Sequence, residues 1–230
     1  MSTIAPPTAK QKSPFLQAVA GQGVILVIAL VLVFWPSTAI NWWNDNWFFE
    51  LGLGSVVAII MYFFLYLLLI VSLNFTDTFH QLVRAIRPML TSFSQPQLVL
   101  LAVLAGTSEE LLFRGVFLYW LTIGIESGVA LLGIELTKLI MLSEGVSVSL
   151  LSIMSGIFLS SLLFGLAHPI SKVYILLTSL IGVVLGVIYV SINSMLVVIA
   201  AHSIYDYLAF YVLTKRPDWL KIGERLENAG

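Results

Sequence analysis

The chain has 230 residues, 59% of them hydrophobic and 10% charged, with a mean hydropathy of +1.01 and a net charge of −1. Soluble domains run about 45–50% apolar and about 25% charged, so this composition excludes a water-solvated globule as well as a disordered chain. A near-neutral chain offers no basic face to nucleic acid, and the absence of cysteine excludes disulfides and thiolate chemistry.

Residues 1–14, with Pro6, Pro7, Lys10, Lys12 and Pro14, read as a disordered cytoplasmic leader. A helix needs about 20 apolar residues to cross a hydrocarbon layer of about 30 Å. Such runs predict six spans, at 16–35, 50–73, 97–123, 148–168, 172–192 and 195–214. The first, preceded by Lys10 and Lys12 and followed by Ser37-Thr38-Ala39, has a signal-peptide flavour, but its length favours a retained anchor. Trp42, Trp43 and Trp47 then mark an outer interface.

Residues 15–96 thus form an N-terminal two-span region that includes an amphipathic helix at 75–90. His80, Arg84 and Arg87 share one face of that helix, opposite Phe79, Leu82, Val83, Ile86 and Leu90. It either lies on the inner interface with its cations toward acidic headgroups or caps the bundle. Residues 129–142 are apolar but short and contain Glu135 and Lys138, which predicts a re-entrant or interfacial helix. Gly182 and Gly186 make a small-residue packing face. Residues 215–230 form a basic tail. With six spans, Lys10, Lys12, Arg84, Arg87, Lys172, Lys215 and Arg216 all fall on the cytoplasmic side, together with both termini.

Three polar clusters interrupt the apolar background. The third span carries Glu109, Glu110 and Arg114; the fourth ends in Phe164-Gly-Leu-Ala-His168-Pro169; the sixth carries His202 and Asp206. One charged residue at mid-membrane costs roughly 2.5–3.5 kcal/mol, so these groups must converge inside the bundle or line a wet cavity. Glu110 and Arg114 are one turn apart and suit an in-helix ion pair, while Glu109 lies about 100° round the helix and serves another purpose. His202 and Asp206 share a face, so the carboxylate can orient the imidazole. Phe164 walls His168 one turn away, and also suits a substrate contact. The assumed topology sets His168 near the inner face and His202 nearer the outer half, so tilt has to bring them together.

A glutamate, two histidines and a further carboxylate suit water activation beside a carbonyl, with Glu109 as base. His168 and His202 can hold that water, polarise the carbonyl, or bind zinc or another divalent metal together with Glu109. The sequence contains neither H-E-x-x-H nor G-x-S-x-G.

Glu109-Glu110-x-x-x-Arg114, Phe164-x-x-x-His168 and His202-x-x-x-Asp206, in this order on hydrophobic helices, resemble the three motifs of the CAAX protease and bacteriocin-processing family, also called the ABI family. The resemblance covers 97–214. It implies an all-α polytopic intramembrane endopeptidase with Glu109 as general base and with His168 and His202 binding water or the transition state. Glu110, Arg114 and Asp206 complete the implied catalytic set. Where the family often has Asn, this chain has Asp206, which donates a hydrogen bond only when protonated and otherwise serves to fix His202. The implied partners are a peptide or membrane-protein substrate and the bilayer of a bacterial plasma membrane, with leader or signalling peptides as substrates. The alternative is a non-catalytic scaffold or immunity protein of the same fold that binds a membrane partner or peptide.

Overall fold

The computed structural model describes residues 13–34, 38, 40–71, 83–134, 137–143 and 146–216. It is an all-α membrane helix bundle with four to six spans. Helix α1 covers Pro14–Phe34, α2 Trp47–Val71 and α3 residues 83–90. A continuous helical rod follows, made of α4 (Gln95–Glu110), a π-helical segment (Leu111–Leu118) and α5 (Tyr119–Leu131). After a short hairpin come α6 (Leu150–Leu166), α7 (Lys172–Ile192) and α8 (Met195–Lys215).

Helices α1, α7 and α8 have 21 residues each and α2 is longer; all four are apolar and long enough to cross a bilayer. At about 1.5 Å per residue, 21 residues reach about 32 Å. The 17-residue α6 is shorter. The rod carries Glu109, Glu110, Arg114 and Glu126, so its middle is far less apolar than the other spans. The predicted ends hold to within a few residues except at the third span. There, Glu126 and Ser127 end the apolar run but not the helix, which continues to Leu131.

The sequence is punctuated where the helices start and stop. The backbone N–H of Ser94 donates to Gln97 Oε1 at 2.8 Å, and Pro96 occupies the first turn of α4. Ser171 caps α7 by accepting from the N–H of Tyr174 at 3.1 Å. Asn193 ends α7 in the left-handed region, φ 52°, and its N–H donates to Tyr189 O. The first donors of α8 would otherwise be orphaned, but Met195 N–H and Leu196 N–H donate to the carbonyls of Asn41 and Trp42 at 2.9 Å. The loop after α1 therefore closes one end of the bundle, at the start of α8.

Residues 129–142 do not form the expected re-entrant or interfacial helix. Gly133, at φ 72°, lies just past the end of α5, and β1 (Lys138–Ser143) pairs antiparallel with β2 (Val146–Ser149). The cause is legible in β2, where Val146 and Val148 alternate with Ser147 and Ser149, a period-two pattern. Val148 and Leu142 are buried under the hairpin. Glu135 and Glu144 lie outside the described residues. The hairpin delivers Ser149 to the start of α6, where its N–H and Oγ donate to Glu126 Oε2 at 3.0 and 2.7 Å. Those donors hold the Glu126 carboxyl below its ordinary pKa, the backbone bond contributing most.

Of the predicted amphipathic helix, His80 and the rest of 75–82 lie outside the described residues. Residues 83–90 are helical and cap the bundle: Val83 and Leu90 pack with Phe93, Leu98, Leu101 and Leu213, and Arg87 Nε donates to Leu213 O at 3.0 Å. The cation thus serves the last carbonyls of α8.

The rod and α8 form the centre. Leu111, Leu118, Leu185, Met195, Val198 and Ala201 make its dry core. Close approach of α4 and α8 requires Gly106, where an added Cβ would stand 2.9 Å from Ser203 N. Gly182 and Gly186 of α7 pack on Ser161 and Ile157 of α6, as their spacing predicts.

Candidate active site

Seven residues singled out in the sequence meet in one place: Glu109, Glu110, Arg114, Phe164, His168, His202 and Asp206. The rod supplies Glu109 and Glu110 from the last turn of α4 and Arg114 from the π segment. Wide π turns recur at functional sites, and a plain α-helix was expected here. The final turns of α6 supply Phe164, and His168 follows the helix end. Because α6 stops at Leu166, His168 lies past the helix end, where it meets His202 of α8 across Glu109.

Glu109 is the hub. Its Oε2 stands 3.8 Å from Nε2 of His168 and 3.8 Å from Nε2 of His202. These separations are too long for direct hydrogen bonds and short enough for a water to bridge Glu109 Oε2 to an imidazole. His168 Nδ1–H donates to Phe164 O at 2.8 Å, which leaves Nε2 as the acceptor in the neutral ring. His202 Nδ1 is 2.7 Å from Glu110 Oε1, so its Nε2 also turns toward Glu109.

Glu110 is fully buried and does a different job from Glu109. Its Oε1 also accepts from Arg114 Nη1 at 2.8 Å, the predicted in-helix pair. Arg114 Nη2 donates to Gly182 O at 3.0 Å, and its guanidinium lies 4.8 Å from the centre of the Phe164 ring. Phe164 is itself buried, with ring centroids 4.9 Å from His168 and 5.8 Å from His202. It lines the cavity and holds both imidazoles in place.

Asp206 differs from expectation in one respect. Its Oδ2 lies 3.6 Å from His202 Nε2, the working nitrogen, while Glu110 occupies Nδ1. Glu110 therefore fixes the imidazole, and Asp206 stands beside the open face of the site.

A cavity of about 450 Å³ opens here, bounded by α1, α2, α3, α4, α6, α7 and α8. Glu109, His168, His202 and Asp206 gather at its polar patch, and Met61, Ile86, Leu177, Ile181 and Phe210 are among its apolar walls. Among the described residues no group of three His, Asp or Glu side chains is arranged to hold a metal ion. Two ligands at about 2.05 Å in a tetrahedral site stand about 3.3 Å apart, shorter than the separations around Glu109 Oε2. Two partners of one water at about 2.8 Å in tetrahedral directions stand about 4.6 Å apart, so the 3.8 Å separations lie between the spacing of zinc ligands and that of a tetrahedral water.

Sequence reasoning missed Gln22. From α1, its Nε2 donates to Glu109 Oε1 at 3.0 Å, while Ser108 Oγ donates to Gln22 Oε1 at 2.6 Å. The signal was present: with Gln17, the amide between Gly21 and Gly23 is one of two that interrupt an apolar span.

A family model described as Type II CAAX prenyl endopeptidase Rce1-like matches residues 91–208, just over half of the chain. Neither the curated proteins nor the solved structures contain a match.

Proposed function

Because the chain belongs to the Rce1-like family of type II CAAX prenyl endopeptidases, we propose that it hydrolyses a peptide bond inside the membrane with water activated by Glu109. It is a multi-pass membrane protein of a protease family, so its substrates are peptides in a membrane. One observation carries the mechanistic reading: a single carboxylate oxygen, Glu109 Oε2, faces two imidazole Nε2 atoms at equal distance on a cavity wall.

In this reading a water molecule sits between Glu109 Oε2, His168 Nε2 and His202 Nε2. Glu109 takes a proton from it as the oxygen attacks the scissile carbonyl carbon. The resulting tetrahedral oxyanion is stabilised by His202 in its doubly protonated form, whose Nε2–H faces the cavity and whose Nδ1–H stays on Glu110. As the tetrahedral centre collapses, the C–N bond breaks and Glu109 returns its proton to the departing amine. Asp206, at the open face of His202, contacts the substrate backbone. Arg114, Glu110 and Phe164 keep the imidazoles aimed. The apolar walls favour a segment with apolar side chains.

Leader and signalling peptides of a bacterial plasma membrane are the proposed substrates, on the strength of the motif resemblance. Both termini are assigned to the cytoplasm from the placement of Lys and Arg. The metal reading is the weaker one, since among the described residues no three His, Asp or Glu side chains are grouped to hold an ion. The test is cleavage of a library of internally quenched peptides by the protein in liposomes. Cleavage by the wild type that is abolished by Glu109→Gln supports the reading, and equal cleavage by both overturns it.

A further inference from the structure

Glu109 has two carboxylate oxygens, and the reaction uses one. Oε2 faces the imidazoles; Oε1 accepts from Gln22 Nε2 at 3.0 Å. Gln22 comes from α1, outside the 91–208 segment that matches the family. Its amide is itself held, because Ser108 Oγ donates to its Oε1 at 2.6 Å and so directs the NH2 group to Glu109. A mobile carboxylate beside a cavity samples many rotamers; one tied at Oε1 presents Oε2 in a fixed direction.

We propose that Gln22 is a positioning residue of the active site, and that α1 is therefore a retained part of the catalytic centre. This rests on the assignment of Glu109 as the base. The first span cannot serve as a disposable leader, for its removal would free Glu109 Oε1 and take away the α1 wall of the cavity formed by Gln17, Gly21 and Ile25. Leu26 and Leu30 pack α1 on the apolar core, and Gln22 adds a polar tie from α1 to α4.

Three measurements decide it. In liposomes, with a quenched peptide cleaved in a Glu109-dependent manner, Gln22→Met, close in length but without the amide, should lower kcat about 10- to 100-fold and leave KM within about twofold. Unchanged kcat, or a loss confined to KM, overturns the proposal. Independently of activity, a thermal-midpoint cycle of Gln22→Met and Glu109→Met, which removes donor and acceptor in turn, should be non-additive by about 2 °C or more in detergent. Additive shifts overturn the proposal even where no peptide is cleaved, a result that would instead sink the proteolytic reading. Finally, the intact mass of C-terminally tagged protein from membranes should retain residue 22, and processing after Ala39 would contradict the proposal.

Discussion

His202 Nδ1 and Glu110 Oε1 are 2.7 Å apart although 92 positions separate them in the chain. The same oxygen accepts from Arg114 Nη1, so an imidazole, a carboxylate and a guanidinium form one buried unit joining the rod to α8. Removing one member leaves a buried charge unpaired. Arg114→Met should cost about 3–5 kcal/mol and lower the thermal midpoint accordingly. Glu110→Gln with Arg114→Met together should recover part of that loss, which unfolding of the two variants will show.

Helix spacing sets the distance between Glu109 and His202. Gly106→Ala would place a methyl group 2.9 Å from Ser203 N, backbone that cannot turn aside. The strain should destabilise the fold by about 1–3 kcal/mol. It should also reduce turnover at least about tenfold by moving α4 off α8. Unaltered turnover in this variant would show that the helices tolerate a wider gap.

Glu126 gives a pH dependence of stability. Donors from Ser149 hold its carboxyl below the ordinary range, the backbone N–H foremost. A depressed folded pKa contributes stability that is full above the unfolded value of about 4.3 and is lost as pH falls through the folded value. The wild type should therefore melt above Glu126→Gln at neutral pH, with the gap closing as pH falls below the unfolded value of about 4.3. A gap that stays constant with pH would contradict this assignment.

Metal removal separates water held by side chains from water held by an ion. Dialysis against a chelator should leave activity intact, and metal analysis should find well under one zinc per chain. Loss of activity restored by added zinc would show that Glu109, His168 and His202 close up around an ion.

The sequence shows the site better than its surroundings. Glu109, His168 and His202 stand out because charge is costly in hydrocarbon, so each motif announces itself against an apolar background. The in-helix pair Glu110–Arg114 follows from spacing alone, and it forms. The partner of His202 does not follow: spacing favours Asp206 one turn away, whereas the tertiary fold supplies Glu110 at Nδ1. Gln22 was hidden because an uncharged amide is a weak signal and its partner is 87 residues distant. The hairpin after α5 was masked by its own apolar content, which outweighed the alternation in β2.

The most direct test of the central claim is the rate of peptide cleavage by Glu109→Gln in liposomes, set against the wild type. This substitution keeps the side chain's size and removes only its capacity to take a proton. A fall of at least about 10²-fold in kcat, in a protein that still folds, is expected from losing a general base. Cleavage at the wild-type rate would contradict the account.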